Sequence, residues 1–140
     1  MSTSIQVIQL QVHGDDRGQL IALEQLRNVP FDIRRVYYLF ATRSDAQRGH
    51  HAHRNLNQLM VALHGRVTVL LDDGSGPVER VLDDPSQGLL LGNLVWRALY
   101  GFSEDCVLMV LADRLYDPDD YIWNYDEFVR EAGGLRRQEA

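Results

Sequence analysis

Two histidines set two residues apart, His51 and His53 in Arg48-Gly49-His50-His51-Ala52-His53-Arg54, are the side chains best suited to chemistry in this chain. On an extended strand, side chains two apart leave from the same face, so both imidazoles enter one pocket. Such a pair either ligates a metal ion or moves protons, because an imidazole titrates near neutral pH. A same-face pair flanked by Arg48 and Arg54 points to function more than two histidines filling a polar surface would.

The elements that must carry this pair are short. Alternating segments at 5–12, 20–24, 34–40, 56–63, 66–71, 78–82, 88–91, 94–99 and 106–112 are separated by turn signals such as Asn28-Val29-Pro30 and Asp72-Asp73-Gly74-Ser75-Gly76-Pro77. His64-Gly65 reads as the turn of a hairpin joining 56–63 to 66–71. Many short strands at this spacing predict an all-β sandwich or barrel. After Tyr116 the period changes. Asp117 reads as an N-cap with Pro118 at the first helical position, and Tyr121, Ile122, Tyr125, Phe128 and Val129 recur at helical spacing. Gly133-Gly134 reads as the stop of this C-terminal helix. One domain is expected over residues 1–132, with 133–140 as a flexible tail.

Composition removes several classes of function. The net charge is −6 over 140 residues, against a nucleic-acid partner, which needs a basic face. All 14 cationic side chains are arginines, so lysine Schiff-base chemistry is excluded, and arginine suits bidentate contacts to phosphate. Cys106 is the single cysteine, which excludes an intrachain disulfide and a cysteine-based metal cluster, and its apolar run reads as core. No apolar run is long enough to span a bilayer, and residues 1–11 lack a signal-peptide pattern. A soluble cytoplasmic protein without membrane contact is the expectation.

The pattern Gly49-x-His51-x-His53-x4-Gln58-x6-Gly65 resembles the first motif of the cupin superfamily, which implies a jelly-roll barrel of double-stranded β-helix type with a short C-terminal helix. In metal-binding cupins the position of Gln58 is usually a glutamate ligand, and a second motif supplies a third histidine. Here a neutral amide stands at the first position, a poor transition-metal ligand. The matching second stretch, Leu91-Gly92-Asn93-Leu94-Val95-Trp96-Arg97, has no histidine, and Arg97 would repel a cation. No metal and no other cofactor is expected.

The resemblance runs further. Asp16-Arg17-Gly18-x-Leu20, Glu24, Val29-Pro30-Phe31, Arg35-Val36-Tyr37-Tyr38, the histidine motif, Gln58, Trp96, Tyr100-x-Phe102-Ser103, Cys106-Val107-Leu108, Tyr116-Asp117-x-x-Asp120-Tyr121-Ile122 and Tyr125 follow in order. Over roughly residues 5–130 the chain resembles the sugar-nucleotide 3,4-ketoisomerases. The resemblance implies isomerisation of dTDP-4-keto-6-deoxy-D-glucose to a dTDP-3-keto-6-deoxyhexose for 3-amino-3,6-dideoxy sugars. It also implies no metal and a homodimer with exchanged N-terminal strands. Trp123 departs from the family pattern, in which arginine is common at that position; its expected effect falls on the dimer or the pocket rim.

For that reaction the residues divide as follows. His51 is the expected base at C3, with His53 as its partner in proton transfer, though the residues leave the two roles exchangeable. Tyr37 shares a strand face with Arg35 and is the expected donor to the enediolate oxygen. Arg17, Arg48 and Arg97 are the candidates for the pyrophosphate, and Arg35 and Gln58 complete the substrate-binding set. Gln58 either orients a histidine or makes a structural hydrogen bond. Rival readings are a 3,5-epimerase of the same substrate, a noncatalytic sugar-nucleotide-binding cupin and a metal-dependent cupin dioxygenase. The sequence shows no histidine–aspartate pairing of the kind the epimerases use. Neither the C4 configuration of the product nor the nucleotide follows from the residues themselves.

Overall fold

The computed structural model describes residues 4–139. Among the described residues twelve strands are formed: β1 (Ile5–Gln9), β2 (His13–Asp15), β3 (Gly18–Leu20), β4 (Arg35–Leu39), β5 (Arg48–His53), β6 (Gln58–His64), β7 (Val67–Asp72), β8 (Pro77–Leu82), β9 (Gln87–Leu91), β10 (Trp96–Tyr100), β11 (Val107–Ala112) and β12 (Tyr121–Ile122). A 3₁₀ turn, Pro118–Asp120, precedes β12, and helix α1 (Tyr125–Glu139) follows it. Two five-stranded antiparallel sheets, β1-β9-β6-β11-β4 and β12-β5-β10-β7-β8, form the two layers, with β2 and β3 as a separate hairpin. This is the expected all-β jelly-roll with a C-terminal helix.

Alternation decides which side chains face the interior. Met60, Val69, Leu71, Leu89, Leu99 and Val110 form the core between the sheets, with Tyr37 and Leu39 packed against it. On β6 the other face is covered as well: Leu59 and Val61 join Leu10, Val29, Phe31 and Leu111 in a second cluster. Gln58 therefore shares the inward face with Met60. On the outside of the second sheet, Ala52, Trp96, Ile122, Phe128 and Ala132 seat α1. Because Ala52 and Trp96 point outward to the helix, their neighbours His51, His53 and Arg97 point inward.

Three expectations are corrected. Residues 56–63 and 66–71 do not form a hairpin: β6 pairs with β9 and β11, whereas β7 pairs with β10 and β8. The chain crosses between sheets at Gly65, whose φ of +70° is left-handed and whose added Cβ would lie 2.7 Å from Cys106 Cα. No strand forms over 21–24; that segment turns under Asn28, which accepts from Glu24 N (2.7 Å) and donates to Ala22 O (2.7 Å).

The third concerns the helix. Asp117 does cap, but only the 3₁₀ turn, by accepting from Asp119 N. The long helix starts later, under Asn124, which accepts from Glu127 N. It also runs through Gly133-Gly134 to Glu139. Arg136 ties its last turns down by donating to Asp73 O (2.7 Å) and Leu94 O (2.9 Å), so tertiary contacts override the two glycines.

Candidate active site

The histidine strand is locally distorted, and the distortion aims it. Across from β10, His51 pairs with Arg97 and Gly49 with Ala98, so His50 is an extra residue in the ladder. Gly49 (φ +88°) and His50 (φ +56°) both adopt left-handed conformations, a bulge geometry that favours glycine. A Cβ on Gly49 would meet Arg97 O at 2.9 Å. The bulge turns His50 outward and leaves His51 and His53 on the inner face, their rings 4.9 Å apart and perpendicular.

A cavity of about 360 Å³ opens between the sheets here, lined by Arg35, Tyr37, Arg48, His51, Tyr121 and neighbouring apolar residues. It unites β4, which supplies Arg35 and Tyr37, with β5 and β12. Arg35 lies over the Tyr37 ring at 5.3 Å and over Tyr116 at 5.9 Å. Tyr121 stacks on Trp123, with rings 5.0 Å apart and within 7° of parallel, and Trp123 is also 5.1 Å from His51. Of its two expected places, Trp123 therefore stands beside the pocket. A larger cavity, about 490 Å³, lies on the opposite side against Leu20, Val61, Leu63 and Met109. Asp84 is the one titratable side chain among its walls, so it offers little for proton transfer.

Behind the cavity wall lies a buried polar layer. His53 is 3% exposed, and its Nδ1 lies 3.2 Å from Asp120 Oδ2. The other carboxylate oxygen accepts from Asn55 N at 2.8 Å. A carboxylate can only accept, so the His53 proton sits on Nδ1 and Nε2 keeps its lone pair. His51 has no such tie: its Nδ1 is buried without a hydrogen bond, which leaves Nε2 for a ligand.

Arg97 is 2% exposed and donates to Val95 O (3.0 Å) and to Gln58 Oε1. Gln58, 1% exposed, in turn donates from Nε2 to the Tyr37 hydroxyl at 3.1 Å. Burial, joined by the Arg97 charge, lowers His51 to about 4 and His53 to about 2, so both imidazoles are neutral at pH 7. Burial lowers Arg97 to about 10, which leaves it charged.

His51, Tyr37, Arg35 and Arg48 thus meet at one cavity, with His53 and Gln58 immediately behind. Two of the three expected phosphate arginines are placed otherwise. Arg97 lies inside the barrel, bonded to Gln58, and its burial does not suit a contact with an external pyrophosphate. Arg17 sits in the β2–β3 turn with its side chain 87% exposed and paired to Asp15 at 2.7 Å, away from the residues lining the cavity. Arg48 remains as the exposed arginine at the cavity.

The sequence reading missed Asp120. It is a histidine–aspartate pairing after all, made across 67 residues. Its signal was present in Tyr116-Asp117-x-x-Asp120-Tyr121-Ile122, a stretch whose Asp117-Pro118 also fits a helix start. Among the described residues, no three His, Cys, Asp or Glu side chains gather in a metal-binding group.

The model of the WxcM-like, C-terminal family (FdtA) matches residues 3–133. The chain belongs to that family. A TDP-4-oxo-6-deoxy-alpha-D-glucose-3,4-oxoisomerase of Aneurinibacillus thermoaerophilus is 49% identical over 116 residues, 83% of this chain and 84% of the relative. Among solved structures, QdtA, a sugar 3,4-ketoisomerase of Thermoanaerobacterium thermosaccharolyticum in complex with TDP, superposes with a TM-score of 0.93 at 40% identity, covering 96% of this chain and 98% of QdtA. WlaRB, a TDP-quinovose 3,4-ketoisomerase of Campylobacter jejuni, gives 0.88 at 42% identity over 92% and 99% of the two chains. NovW, a 4-keto-6-deoxy sugar epimerase of Streptomyces spheroides, shares the fold at 17% identity, with a TM-score of 0.72 over 85% of this chain and 68% of NovW.

Proposed function

We propose that this WxcM-like protein is a metal-independent sugar-nucleotide 3,4-ketoisomerase. Its substrate would be dTDP-4-keto-6-deoxyglucose, converted to a dTDP-3-keto-6-deoxyhexose. The observation that carries the reading is the meeting of one cavity-facing neutral imidazole, His51, with a phenol, Tyr37, across the same cavity.

The carbonyl at C4 acidifies C3–H, because the electron pair left at C3 delocalises into the carbonyl. His51 takes that proton, and the resulting enediolate carries its charge on O4. The same proton returned to C4, together with transfer of the O3 proton to O4, leaves the ketone at C3; no atom is gained or lost. A neutral imidazole suits the first step, and its low proton affinity suits the second. The anionic intermediate raises that affinity while it exists, since an adjacent opposite charge favours imidazolium. Tyr37 donates a hydrogen bond to the oxygen on which charge develops. His53, fixed by Asp120 and 4.9 Å from the His51 ring, stands behind His51 as its partner in proton transfer. Arg48 and Arg35 bring positive charge for the TDP moiety.

The epimerase reading calls for proton exchange at C5 without ketone migration, and the binding-module reading leaves the His51/Tyr37 pair unused. Proton NMR of chelator-treated protein with dTDP-4-keto-6-deoxyglucose in D₂O separates the three. A 3-keto sugar is expected, with coupling constants reporting the C4 configuration. Deuterium at C3 and C5 with the ketone still at C4 would establish an epimerase, and an unchanged sugar with bound nucleotide a binding module.

The same reading includes a cytoplasmic homodimer with exchanged N-terminal strands. In the single chain β1 pairs with its own β9, from Ile5–Leu91 to Gln9–Gln87, and exchange would seat a second copy's β1 in that register. Light scattering should then give about twice the 16.0 kDa chain mass.

A further inference from the structure

Gln58 and Arg97 are buried, polar and charged, and neither lines the cavity. Burying them is costly unless their hydrogen bonds accomplish something. Arg97 has only donors, so the group it meets on Gln58 must be the carbonyl oxygen Oε1. That fixes the orientation of the amide. The NH₂ of Gln58 must then face Tyr37, 3.1 Å away, and the Tyr37 oxygen must accept. A phenol that accepts from one side keeps its own proton for another partner, and Tyr37 lines the cavity.

We propose that Gln58, locked by Arg97, is a positioning residue that fixes the direction of the Tyr37 hydrogen bond, so that Tyr37 meets the substrate as a donor. The chain Arg97→Gln58→Tyr37 carries donors one way only, from the barrel interior to the cavity. It crosses from β10 in one sheet through β6 to β4 in the other. It also connects the buried Arg97 charge, through two hydrogen bonds, to the oxygen that stabilises the enediolate. The role rests on the proposed isomerisation and goes beyond it, since that reading requires a donor at Tyr37 but not the device that orients it.

Gln58→Glu tests the device because it keeps shape and reverses polarity. A carboxylate there still accepts from Arg97, but its second oxygen can only accept, so the Tyr37 proton turns away from the cavity. A merely structural Gln58 is replaced at least as well by glutamate, which adds an ion pair with Arg97, as by Gln58→Met, which loses both bonds. The proposal reverses that order. Gln58→Glu should lower kcat by about 10²–10³-fold, as loss of an oxyanion donor does, with KM little changed. Gln58→Met, which leaves the phenol free to rotate, should lose less.

In a Tyr37→Phe background neither substitution should lower kcat further, because residues that act as one unit are not additive. Circular dichroism and TDP binding establish that each variant is folded, and a chelator is kept in every assay because Gln58→Glu places a carboxylate beside two imidazoles. Should Gln58→Glu not fold, Gln58→Met alone and in the Tyr37→Phe background decides the matter. Near-full turnover in Gln58→Glu, multiplying losses in the double variants, or an undiminished Tyr37→Phe would each overturn the proposal. If the wild-type protein itself leaves the sugar unchanged, it is the isomerase reading that fails.

Discussion

His51→Asn is expected to lower turnover of dTDP-4-keto-6-deoxyglucose by about 10²–10⁴-fold, the range a general base contributes. TDP should bind nearly as before. Asparagine keeps the polarity of the position in a smaller side chain, but has no nitrogen that accepts a proton at neutral pH. Of the two imidazoles, His51 alone lines the cavity, and its Nδ1 is buried without a partner, so Nε2 is the atom through which it reaches a ligand. Calorimetric binding of TDP beside an NMR rate assay reads the two effects separately. Turnover within threefold of wild type would remove His51 as the base and leave that role to His53.

The pH profile carries the same assignment from another side. Because burial and the Arg97 charge lower His51 to about 4, its basic form is fully present at neutral pH and is lost only as the pH falls through that value. kcat/KM, which reports the free enzyme, should therefore show no acidic limb between pH 6 and 8 and should fall below about pH 5. Arg97→Gln removes a repelling charge, so the acidic limb should move to higher pH whatever happens to its height. A limb centred near 6.5 in the wild type would mean that the cavity histidine is solvated.

Much of the site could be read from residue types and strand alternation. His51 and His53 share a face because they are two apart, and Arg35 and Tyr37 do so for the same reason; a strand repeats every two residues whatever its neighbours. An all-β sandwich or barrel with a late helix was legible in the same way, from segment lengths and turn residues, while the jelly roll came from the resemblance to the cupin motif. What escaped depends on partners distant in sequence. The change of sheet at Gly65 resembles a hairpin turn locally, and only the pairing of β6 with β9 and β11 distinguishes the two. The helix passes Gly133-Gly134 because Arg136 finds carbonyls at Asp73 and Leu94. Arg97 reads as a phosphate ligand by type, yet its strand face turns it into the barrel. Asp120 was hidden twice, by its distance from His53 and by a local pattern that also fits a helix start.

Asp120→Asn should then be the second severe lesion, although Asp120 lies behind the cavity wall. Asn55 N–H donates to Oδ1 of Asp120 at 2.8 Å and needs an acceptor there. An asparagine satisfies it only by placing its carbonyl at that position, which turns its NH₂ toward His53 Nδ1. His53 must then accept at Nδ1 and carry its proton on Nε2, the opposite tautomer. Size and packing are unchanged, so the melting temperature should move little. Turnover should fall by roughly 10²–10⁴-fold, as when an imidazole is held in the wrong tautomer or lost from acid–base catalysis. Nitrogen-15 NMR of the imidazoles reads the tautomer directly: protonated Nδ1 in the wild type, protonated Nε2 in the variant. A reversed tautomer with undiminished turnover would take His53 out of the proton relay and leave Asp120 a structural role. Reduced turnover with the tautomer intact would mean that the Asp120 charge itself is required. A reversed tautomer together with lost turnover makes proton transfer at His53 part of the reaction, whichever imidazole takes the C3 proton.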